Sequence, residues 1–250
     1  MFLQRIYTQL TDQNWAAVFV ELLVVAVGIF MGLQASNWND DRIERTLERG
    51  YLVRLHEDIL ASAKGIERDN EALVQQLADQ ATILAALDSC EVTANNKVLV
   101  QRGIASLGFI NPPRLLRRTV DDLAASGRIG IIQSDTIKEE LASIVAEVEW
   151  RDNVMDSVLR LVDHHRTIID EQVRYDVSTP IEGPEWAVAV NFDIGALCSQ
   201  PRNAAAISAI SFSTRDRLIA FRKLAERYRA FLPLIENELQ SRWGYTVVTE

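Results

Sequence analysis

The three histidines are the first residues to test for metal chemistry, because neutral imidazole is the commonest metal-binding side chain in proteins. His164 and His165 are adjacent, so on a helix their side chains point about 100° apart. Two zinc ligands on one helix normally stand four residues apart, as in H-E-x-x-H. His56 lies on a different predicted helix and meets the other two only if tertiary packing brings it there. We therefore predict no metal site.

Paired acidic residues are the next candidates, since two carboxyl groups can act as general acid and base. Asp121-Asp122 and Glu139-Glu140 each fall in the first turn of a predicted helix, where negative charge complements the helix dipole. Capping explains both pairs better than catalysis does. The chain also has no G-x-S-x-G, C-x-x-C, G-x-x-x-x-G-K-[ST] or G-x-G-x-x-G motif. We predict a protein that is not an enzyme and that holds no cofactor.

A site assembled from distant residues would leave no such motif. The chain crosses a long irregular stretch at 176–200, where Pro180, Gly183 and Pro184 interrupt the helical pattern. Long connections of this kind often carry function. An enzyme with a site near 176–200 is therefore kept as a third functional hypothesis.

Only two cysteines are present, Cys90 and Cys198, and both lie near the ends of predicted elements. A pair so placed could form a disulfide outside the cytoplasm. Two unrelated buried thiols are the other interpretation, since a free cysteine is often a small core residue. The sequence leaves both open.

Composition excludes one large class of function. The net charge is −9, from 26 Lys and Arg against 35 Asp and Glu, and the basic residues are interspersed with acidic ones. Nucleic-acid binders instead cluster their basic side chains. We therefore predict no nucleic-acid partner, and 11 Gly and 6 Pro among 250 residues indicate long helices with few turns.

The N-terminal part of the chain departs from this average. Between Trp15 and Leu33 the only ionisable residue is Glu21. Trp15 and Trp38 stand 23 residues apart. At the helical rise this is about 35 Å, so the two indoles could lie at the two interfaces of a bilayer. A cleaved signal peptide would have a shorter apolar region ending in small residues. We predict an uncleaved transmembrane anchor at 15–38, preceded by a short segment at 1–14.

Small residues recur along one face of this anchor. Gly28, Gly32 and Ser36 are spaced by four, and Glu21 falls about 20° from both glycines on a helical wheel. A carboxylate is costly in lipid, so this face could pack against another membrane helix. In the alternative interpretation, Glu21 reaches the headgroup region and the glycines are incidental.

The run from Glu21 to Asp40 fits the pattern E-x6-G-x3-[AG]-L-Q-x2-N-W-N-[DE] and resembles the anchor signature of a family of uncharacterised bacterial single-pass membrane proteins. A second similarity, T-x-x-x-L-x-x-S-G-x-x-x-x-I, lies at Thr119 to Ile132. The resemblance implies an inner-membrane protein with a cytoplasmic N-terminus and a domain across the membrane. It implies no activity.

Charge near the anchor gives a mixed indication of orientation. Arg5 and the amino terminus precede the span, and Arg42, Arg45, Arg49 and Arg54 follow it. Counting them alone would put the domain in the cytoplasm. Each later arginine has an acidic neighbour, however, and a disulfide would need an oxidising compartment. We predict a periplasmic domain.

The remaining pattern is helical. Apolar residues spaced by three, four and seven between Leu52 and Leu87 form a coiled-coil-like seam, which predicts one helix over about 41–88. Further helices are predicted at 97–106, 119–127, 134–174 and 201–243, and the stretch from Thr119 to Asp122 is predicted as the N-terminal cap of the second of these. The last two helices each have apolar residues spaced for burial: Ile137, Leu141, Ile144, Val148, Val154, Val158, Leu161 and Ile168 in the first, and Ile207, Ile210, Leu218, Phe221, Leu224, Tyr228, Phe231 and Leu232 in the second. The predicted fold is all-α: one N-terminal transmembrane helix continuing into an elongated antiparallel helical bundle. The soluble domain spans 39–250, with a small helical insertion at about 91–133.

Three functions are compatible with this organisation. The first is a membrane-anchored helical interaction, sensory or scaffold module of unknown ligand. The second is an accessory subunit that docks through Glu21 and the Gly28/Gly32 face. The third is the enzyme with a site near 176–200. The expected partners are the lipid bilayer and a protein partner, or a second copy of the chain, bound through the transmembrane helix.

Overall fold

A computed structural model describes residues 15–112, 114–176 and 189–246. The described chain is almost entirely helical, which confirms the all-α prediction. The helices are α1 (Trp15–Ser89), α2 (Lys97–Ser106), α3 (Arg118–Ala125), α4 (Asp135–Asp170), α5 (Ile194–Cys198) and α6 (Pro201–Trp243). A 3₁₀ turn (Ile129–Ile131) precedes α4, and two short strands, β1 (Val173–Asp176) and β2 (Ala189–Phe192), follow it. The predicted segment 1–14 lies outside the described residues.

Internal contacts divide the chain into two units, Met1–Gly50 and Tyr51–Glu250, and α1 contributes residues to both. The described part of the first unit is helical, and its apolar side chains from Phe19 to Leu33 are exposed. Within the described residues, α1 is the one helix long and apolar enough to cross a membrane. Trp38 is exposed, and the side chain of Trp15 lies outside the described part.

The second unit is built around three long helical segments. Helix α6 runs antiparallel to α1, because His56 contacts Glu236 while Gln80 contacts Thr214. It also runs antiparallel to α4, since Arg227 binds Glu140 near one end and Gln172 binds Asn203 near the other. The helical segments α1 and α4 therefore point in the same direction.

The segment at 91–133, predicted as a small insertion, connects these two parallel helices and forms a limb of its own. Its side chains contact α1 in reverse order: Arg102 binds Asp79, Arg114 binds Asp69, and Arg118 binds Asp58. We call this segment the return limb. The second unit therefore has four segments, which we call limbs: α1, the return limb, α4 and α6. Limbs that follow one another along the chain run antiparallel.

Two clusters of buried apolar residues form the core of the second unit. Most of the predicted seam of α1 is buried, with Leu52, Leu55 and Ile59 fully inside. The predicted buried face of α4 is confirmed from Ile137 to Val148 and only in part beyond it: Val158 and Ile168 are partly buried against the core, as predicted. Val154 and Leu161 were predicted on this face and are exposed, and Val162 is buried instead. Four of the buried positions are separated by multiples of seven, Leu141, Val148, Val162 and Ile169, which keeps one stripe facing the bundle.

Part of the predicted irregular stretch has regular structure. Helix α4 ends at Asp170, short of the predicted end at Arg174, and β1 then pairs antiparallel with β2. The N–H of Gly195 donates to the Asp193 carboxylate (2.8 Å), which caps the short helix α5. The connecting residues 177–188 lie outside the described part.

Glycine is required at one close approach between the return limb and α1. A Cβ at Gly103 would lie 2.8 Å from the Cδ1 of Ile83 and 3.0 Å from the carbonyl oxygen of Asp79. Any side chain at this position would push α2 away from α1. The contact matters to the site described next, because α2 and this part of α1 supply two of its walls.

Candidate functional site

A cavity of about 150 Å³ lies inside the second unit, among three of its four limbs. Helix α1 supplies one wall, the return limb a second, and α6 a third. The lining residues are Asp69, Ala72, Leu73, Gln75, Gln76 and Asp79 of α1; Arg102, Ser106, Phe109 and Asn111 of the return limb; and Arg217 and Phe221 of α6.

The cavity has a buried floor and an exposed rim. Leu73, Phe221 and Arg217 are buried, and the first two give the floor apolar surface. Ala72 and Phe109 belong to the exposed surface, with 45% of Phe109 accessible to solvent. A small molecule would therefore enter between α1 and the return limb.

Both acidic residues of the lining are neutralised by arginines of the return limb. The buried carboxylate of Asp79 accepts hydrogen bonds from Arg102 Nε (2.6 Å) and Nη2 (2.6 Å). This pairing raises the pKa of Arg102 above its ordinary value. Asp69 in turn accepts from Arg114 Nε (2.8 Å) and from the amide of Asn111 (3.3 Å). Neither carboxylate offers an uncompensated charge to the cavity.

Arg217 is the group in the lining whose charge is not compensated. Only 5% of the residue is exposed, and its Nε and Nη1 atoms have no hydrogen-bond partner. Its Nη2 donates two long hydrogen bonds, to the carbonyl oxygen of Phe109 (3.3 Å) and to the hydroxyl of Thr214 (3.4 Å). Burial without a nearby carboxylate lowers the pKa of Arg217 to about 10. The guanidinium still carries its charge at neutral pH.

A buried, underpaired guanidinium is costly to the fold, because each unmet donor loses its hydrogen bonds to water without replacement. The polar network around it is also incomplete. The amide of Gln80 donates to Thr214 (3.3 Å), while the Oε1 atom of Gln80 has no partner. Of these groups Arg217 lines the cavity, and its unmet donors are what an anchored ligand could satisfy.

A further buried carboxylate, Asp58, organises the return limb away from the cavity. It accepts hydrogen bonds from the N–H of Thr119 (3.0 Å), the hydroxyl of Thr119 (2.8 Å) and Arg118 Nη2 (2.7 Å). Burial opposes its charge, and the hydrogen bonds from Thr119 and Arg118 outweigh that effect and lower the pKa of Asp58. The prediction that the stretch beginning at Thr119 caps α3 is wrong, because α3 begins at Arg118 and Thr119 lies inside it. The N–H of Thr119 is instead capped by the carboxylate of Asp58 on α1.

Three of the four acidic residues singled out from the sequence form ion pairs: Asp121, Asp122 and Glu140. Asp121 lies in the first turn of α3, as predicted, and binds Arg117 (3.3 Å), whereas the prediction for Asp122 is wrong, because it lies beyond that turn. The prediction for Glu139-Glu140 is wrong, because α4 begins at Asp135 with Ser134 as its cap, which places both glutamates beyond the first turn. Glu140 binds Arg227 of α6 instead (2.7 Å).

The histidines are not brought together. The rings of His164 and His165 lie 5.2 Å apart on α4, while His56 is buried on α1 and bound to Glu236 (2.8 Å). Among residues 15–112, 114–176 and 189–246, no group of three or more His, Cys, Asp or Glu side chains is placed to hold a metal ion.

The two cysteines form a disulfide in the structure. Cys90 follows the end of α1 and Cys198 ends α5, and their Cα atoms are 5.7 Å apart. The bond closes a loop of 108 residues. It connects α1 to the hairpin region that packs on α2, where Gln101 donates to the carbonyl oxygen of Val190 (2.9 Å).

The predicted packing residues of the anchor all lie on α1 in the first unit. Glu21 and Ser36 are exposed, and a Cβ built at Gly28 or at Gly32 would meet nothing within 4 Å. Nothing in the described part of the chain covers this face, which is open there to lipid or to another helix.

These features define a helical protein with an apolar N-terminal helix, a disulfide and a cavity over a buried arginine. Comparisons of the chain with models of known protein families, with curated proteins and with solved structures find no match. The family resemblance of the anchor therefore stays a prediction.

Proposed function

We propose that the chain is a membrane-anchored sensory module that binds a small ligand in the cavity above Arg217. The observation that carries the proposal is this cavity, in which a buried arginine lacks partners for two of its nitrogens. Proteins rarely leave a buried charge unsatisfied, and ligand pockets typically combine apolar walls with a few such polar groups.

Membrane attachment rests on the exposed apolar segment of α1. Its side chains would be covered by lipid, and Trp38 would lie at one interface. The disulfide supports a domain outside the cytoplasm, since such bonds persist mainly in oxidising compartments. We therefore propose a cytoplasmic N-terminus and a periplasmic domain at a bacterial inner membrane.

Binding fits the lining better than catalysis does. The acidic residues are held in ion pairs, and the lining contains no histidine, cysteine or lysine to act as base or nucleophile. The one hydroxyl, on Ser106, donates to the carbonyl oxygen of Gly103 (3.3 Å). The lining thus offers groups that hold a ligand and lacks an activated nucleophile.

A ligand in this position would act on the helix that carries the anchor. The α1 wall of the cavity, from Asp69 to Asp79, belongs to the helix that begins at Trp15. Ligand contacts with α1, the return limb and α6 would favour one packing of these limbs over another. We propose that α1 transmits this change toward the membrane.

The test is to close the cavity at its rim. Ala72 is exposed and lines the cavity, whereas Ala78 is exposed on the same helix and does not line it. The full chain in lipid nanodiscs would be screened by thermal shift against water-soluble compounds of up to about ten non-hydrogen atoms. We expect some compounds to raise the melting temperature of the wild type and of Ala78→Phe. The same compounds should not change the melting temperature of Ala72→Phe. An Ala72→Phe variant that responds like the wild type would move the site elsewhere.

A second function, the accessory subunit, is favoured by the open face of the anchor. Glu21 is an exposed carboxylate in an apolar segment, and Gly28 and Gly32 leave room for a close helix. If this face docks a partner or a second copy, Glu21→Gln should abolish the complex seen by cross-linking in membranes. Glu44→Gln, an exposed position on α1 beyond the apolar segment, is the control. Unchanged complexes in Glu21→Gln would remove this candidate.

The third candidate, an enzyme with a site near 176–200, gains no support from the described residues. The cavity lies among α1, the return limb and α6 instead, and residues 177–188 lie outside the described part. This candidate stays a prediction.

A further inference from the structure

We infer that the ligand of the Arg217 cavity is a small anion of single charge with a short apolar tail, of which a short-chain monocarboxylate is the simplest example. The inference rests on the proposed function, because it names the ligand class of the same cavity. Three properties of the lining carry it: the balance of charge, the unmet donors of one side chain, and the space available.

The charge balance selects a monoanion. Asp69 and Asp79 bring two negative charges to the lining, and Arg114 and Arg102 neutralise them at 2.8 Å and 2.6 Å. The guanidinium of Arg217 remains, with no ion pair to any described carboxylate. One positive charge in a buried site is compensated by one negative charge on the ligand. A cation would meet an uncompensated like charge there.

The donors of Arg217 suit a carboxylate head group. A guanidinium presents its N–H groups as a planar fork that two carboxylate oxygens can occupy together. Nε and Nη1 are free of partners but covered by protein, so the guanidinium must turn to reach the cavity with them. The bonds that hold Nη2, at 3.3 Å and 3.4 Å, are long and would be exchanged for shorter charge-assisted ones.

The apolar surface and the volume of the cavity determine the size and the character of the ligand's tail. Leu73 and Phe221 give the floor apolar contact surface, and Ala72 continues it toward the rim. A cavity of about 150 Å³ accepts a molecule about the size of benzene, with roughly six to eight non-hydrogen atoms. A carboxylate with three to five further carbons fits this volume, whereas a nucleotide or a whole phospholipid does not.

The test compares three pentyl compounds that differ in charge. Isothermal titration calorimetry on the full chain in nanodiscs, with empty nanodiscs subtracted, would use pentanoate, pentan-1-ol and pentylammonium at neutral pH. We expect pentanoate to bind the wild type most tightly. Arg217→Met should lower the affinity for pentanoate by about tenfold or more, since it removes a charge-assisted hydrogen bond. The affinity of Arg217→Lys should lie between those of the wild type and of Arg217→Met. Arg215→Met is the matched control, because Arg215 is exposed on the same helix and does not line the cavity.

The melting temperature of each variant without ligand shows that it is folded. If pentan-1-ol binds as tightly as pentanoate, or if Arg217→Met still binds pentanoate like the wild type, the anion inference fails while the cavity remains a ligand site. If none of the three compounds binds the wild type, the inference fails as well. The proposed function is then decided separately, by the response of Ala72→Phe in the thermal-shift screen.

Discussion

Replacing Asp58 with alanine should lower the free energy of unfolding by about 2 to 4 kcal/mol. The substitution leaves the N–H and the hydroxyl of Thr119 without an acceptor in a buried site, and each unmet donor costs about 1 to 3 kcal/mol. The partner Arg118 is 75% exposed, so the loss of that ion pair adds little. The unmet donors therefore account for most of the effect, and the return limb should loosen from α1.

Chemical denaturation of the full chain in nanodiscs, followed by circular dichroism, measures this change. Asp122→Ala is the matched control, because Asp122 also binds an arginine, Arg54 at 3.4 Å, with both side chains about half exposed. We expect the control to change stability by less than about 0.5 kcal/mol. Equal effects of the two substitutions would show that Asp58 does not hold the return limb in place.

The same carboxylate gives a pH dependence of known sign. The pKa of Asp58 in the folded chain lies below its ordinary value of 3.8, so its ionised form stabilises the fold. This contribution is present above pH 3.8 and is lost as the pH falls through the lower, folded pKa. Because Asp58→Ala lacks the group, its stability should fall less steeply than that of the wild type in this acidic window.

The seam of α1 shows which buried residues the apolar spacing of the sequence can predict and which it cannot. Apolar spacing located the helix and most of its buried residues. In this pattern some successive apolar residues are seven positions apart, as Ile59, Ile66 and Leu73 are. The geometry of a helix requires a further buried residue between them. Those intermediate positions are occupied by Ser62 and Asp69, and both are buried. Asp69 lines the cavity, so a polar residue at the missing position of an apolar stripe is a sequence signal that could have indicated this site.

Arg217 carries the same signal on α6. The buried stripe Ile210, Thr214, Arg217, Phe221 and Leu224 alternates steps of four and three, and the arginine stands at its centre. The predicted face of α6 consists of apolar residues alone, so it does not include this arginine. Its burial was predictable from the spacing. Its lack of a partner was not, because that depends on which side chains the return limb brings nearby.

The return limb itself could not be predicted from local pattern. Its helices α2 and α3 are short, and what aligns them with α1 is a set of ion pairs between distant positions. Asp58 and Arg118, for example, are 60 residues apart. Spacing within either segment carries no information about such pairs. The β1–β2 pairing was not predicted either, because strands of four residues are too short to produce a clear alternation of apolar and polar residues.

The disulfide should be the largest single contribution to the stability of the domain. Cys90 and Cys198 close a loop of 108 residues. On the loop-entropy model, a cross-link over this length raises the free energy of the unfolded chain by about 4 to 5 kcal/mol, because it lowers its conformational entropy. Cys90→Ser, Cys198→Ser and reduction of the wild type should each lower the free energy of unfolding by a comparable amount. The double variant is the control, since added reductant should not change it further.

Labelling of the same cysteines in intact cells tests where the domain lies. If the domain is periplasmic and the bond forms, a membrane-impermeant thiol reagent should label the wild type only after reduction. The single variant Cys90→Ser leaves Cys198, which is partly exposed, and should be labelled without reductant. Labelling that requires the membrane to be broken would place the domain in the cytoplasm, as the arginine count alone suggested. A cytoplasmic domain would also remove the oxidising environment on which the stability of the disulfide depends.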